Sequence, residues 1–173
     1  MLETKRGIKV TLCMLILMVA GTARAQEPKY VEPSGMNNWF IELGGTGLFY
    51  SLNYEKILYK STKWGWTGRV GFAYNPKDYT LLNKIELEKG TFITPFTTSV
   101  LYGQRKEKLE LGAGFTMVSR GISDRDVIPT FILGFRVVEV NKVFFRVAYT
   151  PVIQDGKYIN WYGVSLGRNF SLK

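Results

Sequence analysis

Three observations predict the fold class. From Trp39 almost to residue 170, apolar residues recur at every second position. The set opposite them is made of Gly, Ser, Thr, Ala and Asn, with an occasional Arg or Glu. Trp and Tyr gather toward the ends of these runs. Together they predict an all-β chain: an antiparallel up-and-down transmembrane β-barrel of eight strands after a cleaved N-terminal signal peptide.

The signal peptide is expected over residues 1–25. Lys5, Arg6 and Lys9 precede the apolar stretch Val10 to Ala20, and Ala23, Arg24 and Ala25 form a small-x-small site before Gln26. The apolar stretch falls short of the roughly 20 residues a membrane-spanning helix needs. Cys13, the only cysteine of the 173 residues, lies inside it. A lipid anchor on Cys13 is disfavoured, because Leu12 is bulky and the apolar stretch runs on past the thiol. The mature chain therefore has no disulfide, which fits a bacterial envelope protein. The leader holds four cations against Glu3, so the net charge of +9 falls to +6 after cleavage. The remaining charges are scattered over turns rather than clustered. Lipid head groups are the expected counterpart, and no nucleic acid is.

Residues 26–37, with two Pro and a Gly, read as a flexible lead-in, and residues 38–173 as the barrel. Trp39, Ile41 and Leu43 are apolar at odd positions. Leu48, Tyr50, Leu52 and Tyr54 are apolar at even ones, so the phase flips at Gly44–Gly47. A tight turn there gives eight strands. A bulge gives seven, unless residues 80–88 supply another. The clearest alternation is Trp64 to Asn75, with Trp64, Trp66, Val70, Phe72 and Tyr74 opposite Gly65, Thr67, Arg69, Gly71 and Ala73. Residues 91–103, 108–120, 127–139 and 143–153 follow the same rule, and a last run starts at Tyr158. Short connections at 103–108 and 139–142 are expected on the periplasmic side, with longer ones at 76–90 and 119–126 outside.

Alternation alone also suits a soluble lipocalin-like barrel, with its apolar set inward. Small residues opposite the apolar set favour a narrow lumen instead, because eight strands leave room only for side chains. Trp39, Trp64, Trp66, Tyr74, Tyr102, Tyr158, Trp161 and Tyr162 stand where amphipathic rings meet a membrane–water boundary. The outward set of the last run, Tyr162, Val164, Leu166 and Phe170, is similar to the signal that barrel-insertion machinery reads, although Ser171, Leu172 and Lys173 follow. Outer-membrane lipid and that machinery are the expected partners, and the cell outer membrane the expected location.

The stretches FIELGGTGLFYSLNYEKIL, GRVGFAY, LELGAGFT and GVSLGRNF resemble a family of small outer-membrane β-barrel proteins from Bacteroidetes-type bacteria, with an architecture like OmpA and OmpX. The likeness spans nearly all of residues 38–170. It implies a fold and carries no chemical signature.

The chain has no His. His is the side chain that titrates near neutral pH without heavy perturbation, and outer-membrane barrel enzymes generally rely on one. No catalytic residue, cofactor or metal site is expected, and a solvated loop is the expected role of Asp124 and Asp126. Glu42, Glu55, Arg69, Glu110, Arg136 and Arg146 all fall on the small-residue set. Charges in a narrow lumen must be paired. They form either an Arg–Glu plug or a polar constriction that passes ions. The sequence thus points to a non-enzymatic envelope protein with a structural or loop-mediated role. A small ion or solute pore, a soluble barrel for a lipophilic ligand and an enzyme with an unusual nucleophile are the rivals.

Overall fold

The computed structural model describes residues 36–171 except 82–84, 105, 121–124, 139–142 and 155. The expected signal peptide and residues 26–35 of the lead-in lie outside the described residues. Eight strands build the wall, numbered here in chain order. They are β1 (Met36–Gly44), β2 (Tyr50–Lys60), β3 (Trp64–Tyr74), β4 (Phe92–Tyr102), β5 (Glu107–Ser119), β6 (Arg125–Val138), β7 (Val143–Tyr149) and β8 (Tyr162–Ser171). Each pairs antiparallel with its neighbours in sequence. β8 closes the ring on β1, from Met36 opposite Ser171 to Gly44 opposite Gly163. The first described strand thus begins at Met36, within the stretch read as lead-in.

The phase flip at residues 44–47 is a turn. Gly44 and Gly45 take φ of 71° and 65°, which costs glycine nothing, and Gly45–Gly47 form one 3-10 turn between β1 and β2. Residues 80–88 therefore need not supply a barrel strand. Tyr79–Leu81 and Ile85–Leu87 pair as a separate small hairpin between β3 and β4. A bulge does occur elsewhere. The β2–β3 register shifts between Ile57 and Tyr59, so Leu58 and Tyr59 both face outward.

The final two runs differ from the sequence reading. The wall of β7 stops at Tyr149 and that of β8 starts at Tyr162. Between them Val152–Gln154 and Lys157–Ile159 pair as a hairpin, tied to β6 through Val152 opposite Thr130. Ile153 and Tyr158 therefore belong to this hairpin and not to wall strands.

Both ends of the described chain, Met36 and Ser171, lie at one end of the barrel, where β2 leads to β3, β4 to β5 and β6 to β7. This is called the terminal end. At the opposite, loop end β1 leads to β2, β3 to β4, β5 to β6 and β7 to β8.

The apolar set points outward. Ile41, Leu111, Leu133 and Leu166 are each more than half exposed, while Arg136 and Arg146 inside are fully buried. Soluble proteins bury such side chains and expose such charges. The inversion is that of a barrel whose solvent is hydrocarbon. Two glycines let strands approach closely: a Cβ on Gly114 would meet the Phe96 carbonyl, and one on Gly167 the Trp39 carbonyl.

Candidate functional site: the lumen

Six charged side chains meet inside the wall in one alternating chain. Arg69 Nη2 lies 3.2 Å from Glu42 Oε2. The other Glu42 oxygen accepts from Arg146 Nη2. Arg146 Nη1 reaches Glu110 Oε1 at 3.3 Å, and Glu110 Oε2 takes Arg136 Nη2 at 2.7 Å. Arg136 then grips Glu55 with two parallel bonds of 2.6 and 3.0 Å. Three guanidiniums and three carboxylates leave this cluster with no net charge. Arg136 can hold this fork because guanidinium geometry matches a carboxylate. Neutral donors complete the shell: Asn38 Nδ2 donates to Glu55, Ser99 Oγ to Glu110 and Thr46 Oγ1 to Glu42.

Phe40 and Phe144 stand among these cations. Their ring centroids are 4.8 Å apart. Arg69 and Arg146 lie over Phe40 at 5.5 and 5.2 Å, and Arg136 over Phe144 at 5.2 Å. Each guanidinium thus meets a ring face on one side and a carboxylate on the other. With Met36, Ile57 and Val138, the two Phe form an apolar layer toward the terminal end.

A second apolar layer closes the loop end, and the β1–β2 turn builds it. Gly45, Thr46, Gly47 and Leu48 are all buried, so the turn folds into the barrel rather than over its rim. The Thr46 carbonyl accepts from Thr116 Oγ1 at 2.9 Å, and the Leu48 carbonyl from Trp161 Nε1 at 3.0 Å. The Leu48 side chain sits among Ala73, Ile93, Val118, Ile128, Val152 and Ile159, with Phe49 and Trp161 packed against them. The price of this seat is a left-handed φ of 66° at Leu48. Reading along the axis, the lumen is apolar, then ionic, then apolar.

These apolar inward residues depart from the expected small polar lining. Trp161 departs too: it is half-buried and bonds the folded-in turn. Sequence reasoning missed Phe40, Phe144, Leu48 and Trp161. The adjacent pairs Trp39–Phe40 and Phe144–Phe145 were the available signal, since two neighbouring aromatics in a strand must face opposite sides.

The outward aromatics form two groups. Trp39, Trp64, Trp66 and Tyr102 are exposed near the terminal end, with Trp39 packed on Tyr54 and Trp64 on Tyr102. Tyr50, Tyr74, Tyr158 and Tyr162 are exposed near the loop end, where Tyr162 packs on Tyr149 and Tyr158 shares a hydrogen bond with it. Of the outward set in β8, Tyr162, Val164 and Leu166 are exposed and Phe170 is half-buried. Among the described residues no group of three His, Cys, Asp or Glu side chains is placed to hold a metal ion.

No protein-family model matches the chain, and no curated protein does. Among solved structures the chain is similar to the Yersinia pestis outer membrane protein Ail in a phospholipid bilayer nanodisc. The TM-score is 0.52 at 10% identity, over 79% of this chain and 100% of that one. This chain has the fold of an outer-membrane β-barrel. It is also similar to the N-terminal β-barrel domain of Pseudomonas aeruginosa OprF, with a TM-score of 0.46 at 10% identity, over 78% of this chain and 96% of that one.

Proposed function

We propose that this chain is a non-enzymatic outer-membrane protein whose barrel is a closed scaffold rather than a channel. It anchors in the cell outer membrane and presents the connections of its loop end to a partner. The observation that carries this reading is the folded-in turn: Leu48 and Thr46 stopper the loop end directly above the neutral Arg–Glu chain. A pore needs a wetted path, and here two apolar layers flank the charges. The chain's lack of His supports the non-enzymatic part. The outer surface of Leu and aromatic residues supports lipid as the surrounding partner, and the outward set of β8 supports recognition by barrel-insertion machinery. Membership of the Bacteroidetes-type barrel family is part of this proposal, resting on the strand motifs.

Two measurements test it. Protein extracted from outer-membrane fractions should migrate differently in cold and boiled electrophoresis, and recovery only in the soluble periplasm would refute the location. In planar bilayers the folded protein should give no steady conductance, and reproducible single-channel steps would refute the closed lumen. The pore reading draws on one observation. Arg69 Nε and Nη1, Asn53 Oδ1 and Thr97 Oγ1 are buried in the lumen without a hydrogen-bond partner in the protein. Such groups are where water would enter a leaky barrel.

A further inference from the structure

The two ends of the barrel differ in charge. At the terminal end the described cations are Lys56, Lys60, Lys63, Lys106, Arg168 and the buried Lys108, against the carboxylate of Glu107. At the loop end the four cations Lys77, Lys89, Arg120 and Arg125 face three carboxylates, Asp78, Glu88 and Asp126, and Arg120 pairs with Asp126 at 3.2 Å. Among the described residues the terminal end is therefore the more strongly cationic rim.

Two of its cations stand on the bilayer-facing set itself. Arg168 is exposed on β8 and lies opposite Trp39 on β1, which lies opposite Tyr54 on β2. Lys56 is exposed two residues beyond Tyr54. The Trp39 and Tyr54 rings pack at 4.9 Å, and Tyr54 donates to Asn37 Oδ1 at 2.6 Å. An outward Arg or Lys is expensive at the middle of a bilayer and nearly free at its edge. Arg168 lies three residues, about 10 Å, from the end of β8, so its long stem reaches the head-group layer. The aromatic pair marks the same boundary from the apolar side.

We infer that Arg168 and Lys56, framed by Trp39 and Tyr54, form a binding site for the phosphate of an anionic phospholipid in the leaflet at the terminal end. The geometry selects lipid over free phosphate. The cations project from the bilayer-facing set, where a head group is delivered with its acyl chains against Trp39 and Ile41. A guanidinium and an ammonium two rows apart can share one phosphate, and the summed field of the rim favours net negative head groups over zwitterionic ones. The inference rests on the bilayer placement proposed above.

The test uses the folded full-length barrel in phosphatidylcholine vesicles carrying spin-labelled phosphatidylglycerol or spin-labelled phosphatidylcholine. The barrel should hold the anionic label in preference. Arg168→Gln with Lys56→Gln should weaken that preference by about fivefold for each cation removed. Arg168→Lys should retain most of it, and Lys77→Gln with Lys89→Gln at the loop end should leave it unchanged. Equal association of both labels, or a preference untouched by the Arg168 and Lys56 changes, would overturn the site. Displacement of the label by inorganic phosphate beyond the effect of sodium chloride at matched ionic strength would overturn the choice of lipid. Failure to insert into neutral vesicles would overturn the bilayer placement, and the site with it, before any label is read.

Discussion

Arg136 and Arg146 lie directly opposite each other in the β6–β7 register, both fully buried. Like charges in that relation repel. Glu110, from the neighbouring β5, reconciles them by giving one carboxylate oxygen to each. Replacing Glu110 with Gln is therefore expected to leave two buried cations facing one another. Breaking a buried pair in this way costs about 3–5 kcal/mol. Arg136→Ala should cost a similar amount by leaving the buried Glu55 without its cation. Urea unfolding in lipid vesicles, followed by tryptophan emission, checks both. Wild-type stability in either variant would mean that the charges have partners other than those seen here.

Outward substitutions should depend on depth. Leu133 lies in the middle of β6 and is well exposed to the surroundings of the barrel. Arginine at Leu133 is expected to destabilise by about 2–4 kcal/mol if those surroundings are hydrocarbon, and arginine at Val143, the first residue of β7, by about 0–1 kcal/mol. Equal tolerance at the two positions in the same unfolding assay would indicate water on that face.

The turn that enters the barrel poses a balance of two effects. Leu48→Gly should release about 1–3 kcal/mol of backbone strain at the positive φ. It should also lose about 2–5 kcal/mol of packing among Ile93, Val118 and Ile128. The packing loss is the larger, so the net expectation is destabilisation by about 1–2 kcal/mol, with conductance rising from none to brief openings in planar bilayers. A stabilised and silent variant would mean that Leu48 does little to seal the lumen.

Tryptophan quenching separates the two sides of the wall. Trp39, Trp64 and Trp66 face outward, whereas Trp161 binds the Leu48 carbonyl. Brominated lipid should quench proteins keeping one of the first three strongly, and a protein keeping Trp161 alone only weakly. Strong quenching of Trp161 would place it on the outer surface.

Period two was the legible part of this chain, because each strand separates two environments and nothing local disturbs the alternation from Trp64 to Tyr74. The eight-strand count was legible within two alternatives, and the glycines at 44 and 45 decide between them through their positive φ. The same alternation puts Glu42, Arg69 and Arg146 in phase with the small set. It carries no information on pairing, because the partners come from different strands: Glu42 meets Arg69 across 27 residues and Arg146 across 104. The inward fold of the turn was equally invisible. The turn enters the lumen where Thr116 and Trp161, far along the chain, donate to the Thr46 and Leu48 carbonyls. Phe144 was hidden for a simpler reason: an apolar residue on the inward face breaks the small-residue rule that defines that face.

The distances along the chain within the lumen also bear on how the barrel is made. Arg136 finds Glu55 from 81 residues away, and Glu42 finds Arg146 from 104. A nascent sheet of β1 to β3 holds Glu42, Glu55 and Arg69, a net negative set with no answering strand. The later strands β5 to β7 hold Glu110, Arg136 and Arg146, a net positive one. Neither half is electrically tolerable in hydrocarbon by itself, and the Arg–Glu chain is neutral only when both are present. Closure is thus a neutralisation as well as a hydrogen-bonding event. A sheet that stalls halfway keeps bare charge on the face about to become an interior, so assembly should proceed without a populated half-inserted state.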